Sequence, residues 1–257
     1  MTTLVAYSTD GAIARLTLDS PHNRNALSTA LVQQLHEGFA KAAADPDTRC
    51  VVLGHTGGTF CAGADLSEAA GRDPGELAVD RAREMTQLLR AIVELPVPVL
   101  GAVDGHVRAG GLGLVGACDV VVAGPSSTFA LTEARIGVAP SIISLTLLPK
   151  MSARAAGRYF VTGEKFGAAE AETIGLITVA AEDVAAAVGA IAAEVAKGSP
   201  QGLAASKALT TAAILKSFDE QAEALTEQSA RLFVSDEARE GILSFLEKRP
   251  PRWTVTP

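Results

Sequence analysis

The 257-residue chain is poor in the residue types that mark several common chemistries. Its three cysteines, Cys50, Cys61 and Cys118, are odd in number and form no C-x-x-C pair, so neither a disulfide framework nor a thiolate zinc site is expected. Its four histidines, His22, His36, His55 and His106, lack metal-ligand spacing. Positive charge is scarce. Twenty-two Lys and Arg face 29 Asp and Glu, a net charge of −7 that argues against a partner bound through a nucleic-acid backbone. No stretch of 18 residues is free of charge or turn residues, and Met1 to Asp10 has neither a basic segment nor a long apolar run. Membrane spanning and export are therefore not expected, and the reading is a reduced, cytoplasmic protein. The phosphate-loop pattern G-x-x-x-x-G-K-[ST] is missing, as is the G-x-S-x-G elbow of serine hydrolases. No metal, flavin or nicotinamide site is suggested.

What the chain has is apolar mass in alternating periods. With 48% hydrophobic residues it can bury a large core, and it reads as one domain with a helical tail. Leu4–Tyr7 and Ile13–Leu18 are β-type runs joined through Asp10-Gly11, a hairpin dipeptide. Leu31, Leu35 and Phe39 have helical spacing up to Asp45-Pro46, and Met85, Leu88, Leu89 and Ile92 repeat it up to Pro96. Cys50–Leu53, Val99–Val103 and Val120–Val122 read as buried strands. Beyond them helical stripes dominate, at Val184, Val188, Ile191 and Val195 and again at Ile242, Phe245 and Leu246. The segment from Ala69 to Leu77, with Gly71, Pro74 and Gly75, is expected to be a loop over a site.

Two segments place small residues directly after a strand. They are Gly57 to Leu66, containing Phe60-Cys61-Ala62-Gly63-Ala64-Asp65-Leu66, and Gly105 to Leu114, containing Ala109-Gly110-Gly111-Leu112-Gly113. Small residues admit a ligand close to the main chain, and free N–H groups at a helix start carry the positive end of the helix dipole. Such loops suit the binding of one oxygen; the same glycines also suit close packing of helix on strand.

These segments resemble the enoyl-CoA hydratase/isomerase (crotonase) superfamily, in order and over nearly the whole chain. Pro21-His22-Asn23-Arg24-Asn25-Ala26-Leu27 is similar to its N-terminal signature, and the two small-residue segments, the second running on to Cys118-Asp119, to its two oxyanion loops. Thr162-Gly163-Glu164 with Ala168 to Leu176 and the closing Phe245-Leu246-Glu247-Lys248-Arg249 complete the resemblance. It implies an α/β fold, the crotonase-type spiral of β-β-α units over residues 1–195, with a C-terminal helical region over 196–257 used in trimer or dimer-of-trimers contacts. It also implies that the backbone amides of Ala64 and Gly110 hold a thioester oxygen. Arg24, Ala26, Ala62, Asp65, Leu66, Gly111, Phe245 and Lys248 would then contact the acyl-CoA, with Arg24 and Lys248 toward its phosphates. Coenzyme A enters as part of the substrate, with no separate cofactor.

Hydratases of this family use two glutamates. The first position is here Gly113, which cannot ionise. The second falls at Glu133, within Phe129-Ala130-Leu131-Thr132-Glu133-Ala134-Arg135-Ile136-Gly137, leaving Glu133 as the one catalytic side chain. Half-burial beside an acyl chain is expected to raise its pKa toward neutrality. A single base suffices to shuttle a proton in an enoyl-CoA isomerase, whereas adding water also needs the water placed. Gly113 with Glu133 to Pro140 and Ile142-Ile143-Ser144 nevertheless resembles a bacterial single-glutamate branch regarded as hydratases, including methylglutaconyl-CoA hydratase-like members. Hydration is therefore the leading reading, isomerisation the second, and a non-catalytic CoA-binding paralogue the third. A loop carboxylate such as Glu68 is a candidate to hold the water. Cys61, without a base partner, reads as packing, and His106 and Arg108 as neighbours of the second loop.

Overall fold

The computed structural model describes residues 2–69 and 74–254. β1 (Val5–Asp10) and β2 (Ile13–Leu18) pair as the expected antiparallel hairpin, closed by Asp10 opposite Ile13. α1 (Thr29–Ala44) follows, its N-terminus capped by Ser28 Oγ, which accepts from Leu31 N. From there the chain repeats one move: a strand in a large sheet, a short strand in a small sheet, then helix. β3 (Cys50–His55), β4 (Thr59–Cys61) and α2 (Pro74–Glu94) make the first unit, and β5 (Val99–Val103), β6 (His106–Arg108) and α3 (Gly110–Ala117) the second. β7 (Val120–Ala123), β8 (Thr128–Ala130), a 3-10 turn at Glu133–Ile136 and α4 (Ser144–Leu147) make the third. α5 (Ala153–Thr162), β9 (Phe166–Gly167), α6 (Ala168–Thr173), β10 (Val179–Ala180), α7 (Val184–Val195), α8 (Pro200–Phe233) and α9 (Asp236–Leu246) finish the fold.

The large sheet has the order β1-β2-β3-β5-β7-β10, parallel from β2 onward; the small one has the order β4-β6-β8-β9, with β4, β6 and β8 parallel. Both faces of the large sheet are covered at β3, β5 and β7, which is why these strands read as apolar runs. Val51, Leu53, Val99 and Val121 face the main core, while Cys50, Val52, Leu100 and Val122 pack on Val188 and Ala192 of α7. This is the crotonase-type α/β spiral with C-terminal helices that the motifs imply.

Two expectations are corrected. The small-residue segments are not plain loops, since each carries a strand of the small sheet, too short to show a period. The expected loop from Ala69 to Leu77 ends earlier, because Pro74 opens α2 and Pro is at home in a first helical turn; residues 70–73 lie outside the described ones.

Candidate functional site

The small sheet gathers the site. β4, β6 and β8 run parallel, so their C-terminal ends share one edge, the end at which parallel sheets commonly present their ligand loops. Ala64 stands three residues beyond Cys61, Gly110 two beyond Arg108, and Glu133 three beyond Ala130. Three positions distant in sequence thus emerge side by side.

The first loop is tied down from both flanks. Buried Asn25, at a positive φ of 53°, donates from Nδ2 to Thr56 O (3.0 Å) and Thr59 O (2.8 Å) and accepts from Ser20 N at Oδ1 (2.7 Å). Leu27 then forms a parallel bridge with Ala64, in which Leu27 N donates to Gly63 O (2.7 Å) and Asp65 N to Leu27 O (3.3 Å). The bridge uses the groups on either side of Ala64 and leaves the Ala64 N–H unused. Gly63 has φ +91°, and a Cβ there would lie 2.7 Å from Ala109 Cβ and 3.3 Å from Gly110 N, so the two loops touch where no side chain fits. Ala109 caps α3 with φ 45° and ψ −123°, a costly conformation for a residue with a Cβ, and it turns the chain into the first helical residue, Gly110. Among the described residues, neither the Ala64 nor the Gly110 N–H donates to a protein acceptor.

Glu133 is buried, with 8% of its surface exposed, and its Oε2 has no partner among the described residues. Burial pushes its pKa up to about 7, against a small lowering by its own backbone N–H. The expected rise toward neutrality is therefore present, although Glu133 sits in a 3-10 turn and is more deeply covered than half-buried. The turn is fixed from outside: Arg135 Nε donates to Thr162 O (3.0 Å), and Gly241 of α9 lies so close to Ile136 that a Cβ would be 2.4 Å from its carbonyl oxygen.

At Gly113 the missing carboxylate has left no space behind. A Cβ there would meet Ile143 Cγ2 at 2.6 Å and Met85 Cε at 2.9 Å, so apolar side chains fill the direction a longer residue would take. Gly111, Gly113 and Gly116 do have the G-x-G-x-x-G spacing of a dinucleotide loop. These glycines abut Cys61, Ile143 and the Thr146 backbone, which leaves them no room for a phosphate.

The remaining candidates divide. Ala26 is buried beside the Leu27 bridge, and Ala62 N donates to Arg24 O (3.1 Å), which ties that corner to the first loop while the Arg24 side chain stays exposed. Asp65 serves the loop: although burial raises its pKa, bonds from Ser67 N, Ser67 Oγ and Asn23 Nδ2 bring it below the usual value. Leu66 opens the 3-10 turn Leu66–Ala69. Phe245 and Lys248 lie exposed at the end of α9. Glu68 is not a free carboxylate for water, because it accepts from Thr29 N (3.1 Å) at the start of α1 and pairs with Arg81. Cys61 is fully buried, its thiol pushed up to about 12, a packing residue. Arg108 donates to Val107 O, Thr128 O and Thr128 Oγ1, and His106 Nδ1 is 2.9 Å from Thr128 Oγ1, so both side chains stitch β6 to β8. Ser141, Ile143 and Met85 were not singled out as site residues. Ser141 Oγ shares with Glu133 Oε2 the property of being buried without a partner, which no sequence signal marks.

Among the described residues, no group of three or more His, Cys, Asp and Glu is arranged to hold a metal ion, and no helix is long and apolar enough to cross a membrane. The family model described as Enoyl-CoA hydratase/isomerase matches residues 8–256. A Rhodobacter capsulatus protein named "Probable enoyl-CoA hydratase" is 35% identical, with 97% of each chain covered. The Escherichia coli 2,3-dehydroadipyl-CoA hydratase is 32% identical over 92% of each. The crystal structure of an enoyl-CoA hydratase from Mycobacterium avium superposes with a TM-score of 0.93 at 67% identity, covering 99% of this chain and 100% of that one. With five ordered motifs, the two-sheet spiral and these matches in agreement, the chain belongs to the enoyl-CoA hydratase/isomerase family.

Proposed function

We propose that the protein adds water reversibly across the double bond of a 2-enoyl-CoA. The observation that carries this reading is the pair of N–H groups, Ala64 and Gly110, that donate to no acceptor among the described residues, on touching loops at the edge where buried Glu133 emerges. In the forward direction the water oxygen bonds to C3 and the C2=C3 electron pair moves toward the thioester, whose oxygen becomes negative. The two amides meet that charge as it forms; losing one such donor typically costs about 3–4 kcal/mol of transition-state stabilisation. Ionised Glu133 takes a proton from the water and returns one to C2, which neutralises the enolate. Every atom of the water ends in the product, and the thioester is the only electron sink the step requires. Arg24 and Lys248, exposed and positive on a chain of net charge −7, suit the phosphates of coenzyme A, and Ala26, Ala62, Leu66, Gly111 and Phe245 the remainder of the acyl-CoA.

One observation favours a second reading. With Gly113 in place of an acid and Ile143 against it, Glu133 alone also suits moving a proton between C2 and C4, an isomerisation. Rates with crotonyl-CoA (hydration) and a 3-enoyl-CoA (isomerisation) decide. Hydration is expected to dominate; no hydration beside robust isomerisation reverses the order, and binding of acetoacetyl-CoA with neither reaction makes the chain a non-catalytic binder. The exposed apolar residues of the C-terminal region suit assembly into a trimer or a dimer of trimers.

A further inference from the structure

A base alone does not place a nucleophile. Typical hydratases divide that task between two carboxylates; here one is gone and its direction is filled by Ile143 and Met85. If water adds at this site, another polar group must help hold it, since an ordered water needs two or more polar partners. Glu68 is committed to Thr29 and Arg81, and Asp65 to Ser67 and Asn23. Among the described residues, two buried side-chain oxygens lack any partner: Glu133 Oε2 and Ser141 Oγ.

The two belong to one short segment, folded back on itself. After the turn at Glu133–Ile136, Gly137 takes a left-handed conformation (φ +77°) and Val138 N returns to donate to Glu133 O (3.1 Å). Ser141 follows in a turn closed by its own N–H to Ala139 O (2.8 Å). Two residues later Ile143 rests on Gly113, and Thr146 Oγ1 donates to Gly113 O (3.1 Å), which pins this stretch to the first turns of α3, the helix that begins at Gly110. Ser141 thus stands two residues before the Ile143 contact that fills the missing acid's direction, on the segment that carries Glu133. It is 6% exposed, and leaving a buried hydroxyl unbonded is unfavourable, a penalty that a bound water removes.

Resting on the hydratase reading, we propose that the Ser141 hydroxyl is the second anchor of the attacking water, standing in for the lost carboxylate. A hydroxyl both donates and accepts, so it can orient water whose proton goes to Glu133, but it is no base at neutral pH. Ser141 therefore positions, and Glu133 moves the proton.

The test compares wild type, Ser141→Ala and Glu133→Gln in two reactions: hydration of crotonyl-CoA, and exchange of the C2 hydrogen of butyryl-CoA with deuterated water. Exchange uses the amides and Glu133 but adds no water to carbon. Ser141→Ala is expected to lower kcat for hydration by ~10²-fold, as for a misplaced reactant, with KM changed less than about threefold and exchange largely retained. Glu133→Gln is expected to lose both. Hydration by Ser141→Ala within about threefold of wild type overturns the assignment, and so does a parallel fall of both reactions, which marks a structural role. Wild-type exchange without wild-type hydration removes the hydratase reading itself, and the anchor with it.

Discussion

Glu133 places a carboxyl where charge is costly, and this gives it two measurable signatures. Its pKa near 7 lies above the ordinary 4.5 because burial disfavours the ionised form. The base of the proposed reaction is that ionised form, so kcat/KM for hydration is expected to fall about tenfold per pH unit below pH 7 and to level above it. Glu133→Gln should lower kcat by ~10²–10⁴-fold and remove this limb. The second signature concerns stability. Between pH 4.5 and about 7 the folded protein keeps a proton that the unfolded chain has released, so this group's contribution to stability falls as pH rises through that window. Wild type should lose up to about 3 kcal/mol relative to Glu133→Gln between pH 4 and pH 8, read from denaturant midpoints at the two pH values. A constant gap would mean that Glu133 titrates normally. Sequence alone pointed to Glu133 and to the two amides because family motifs mark them. It gave no sign of Ser141 or of the Ile143 contact, because an unsatisfied hydroxyl and a filled Cβ direction are properties of packing in space. It also left Glu68 open as a water ligand, since nothing local in Leu66–Ala69 reveals that Arg81, on the next helix, claims that carboxylate.

The elements legible in the sequence are those with a period. The hairpin, α1, β3, β5, β7 and α7 stand where apolar spacing puts them, whereas β4, β6 and β8, at three residues each, are too short to carry a pattern although they gather the whole site. What joins the spiral to the helical region was equally hidden. Lys207, on α8, is 5% exposed and donates to Ile92 O (2.9 Å) in the last turn of α2 and to Val97 O (3.2 Å), while pairing with Asp119 Oδ2 at 2.8 Å. Asp119 in turn accepts from Val99 N (2.7 Å), so one buried ammonium links α8, the end of α2, and the strand entries of β5 and β7. Burial lowers the lysine pKa and Asp119 opposes the shift. Lys207→Ala takes the ammonium from a partly buried carboxylate and two carbonyls, and is expected to cost about 3 kcal/mol in unfolding free energy. A loss below about 1 kcal/mol would show that water takes over the ammonium's bonds and that α8 is held by apolar packing alone.

For the whole molecule, the large exposed apolar residues among those described are concentrated at the C-terminal end: Phe233 and Val234 close α8, Leu243, Phe245 and Leu246 lie on α9, and Trp253 follows it, with Phe245 67% and Leu246 63% exposed. α9 nevertheless cannot be a loose appendage, because Gly241 seats it directly against the turn that carries Glu133, and Glu240, held well below its usual pKa by Arg249, closes the segment behind it. A helix anchored by one face to the proposed base and bare on another suits a subunit contact that also steadies the site. Leu243→Asp, Leu246→Asp and the double variant place charge on the bare face and leave Gly241, Glu240 and the proposed substrate contact Phe245 untouched. In sedimentation they are expected to run as smaller species than wild type, with unchanged far-ultraviolet dichroism. Hydration activity should fall with the loss of assembly and recover in part at higher protein concentration, since association is a mass-action equilibrium. If the double variant sediments as wild type does, α9 is not the contact; if it dissociates yet keeps full activity at every concentration, the assembly does nothing for Glu133.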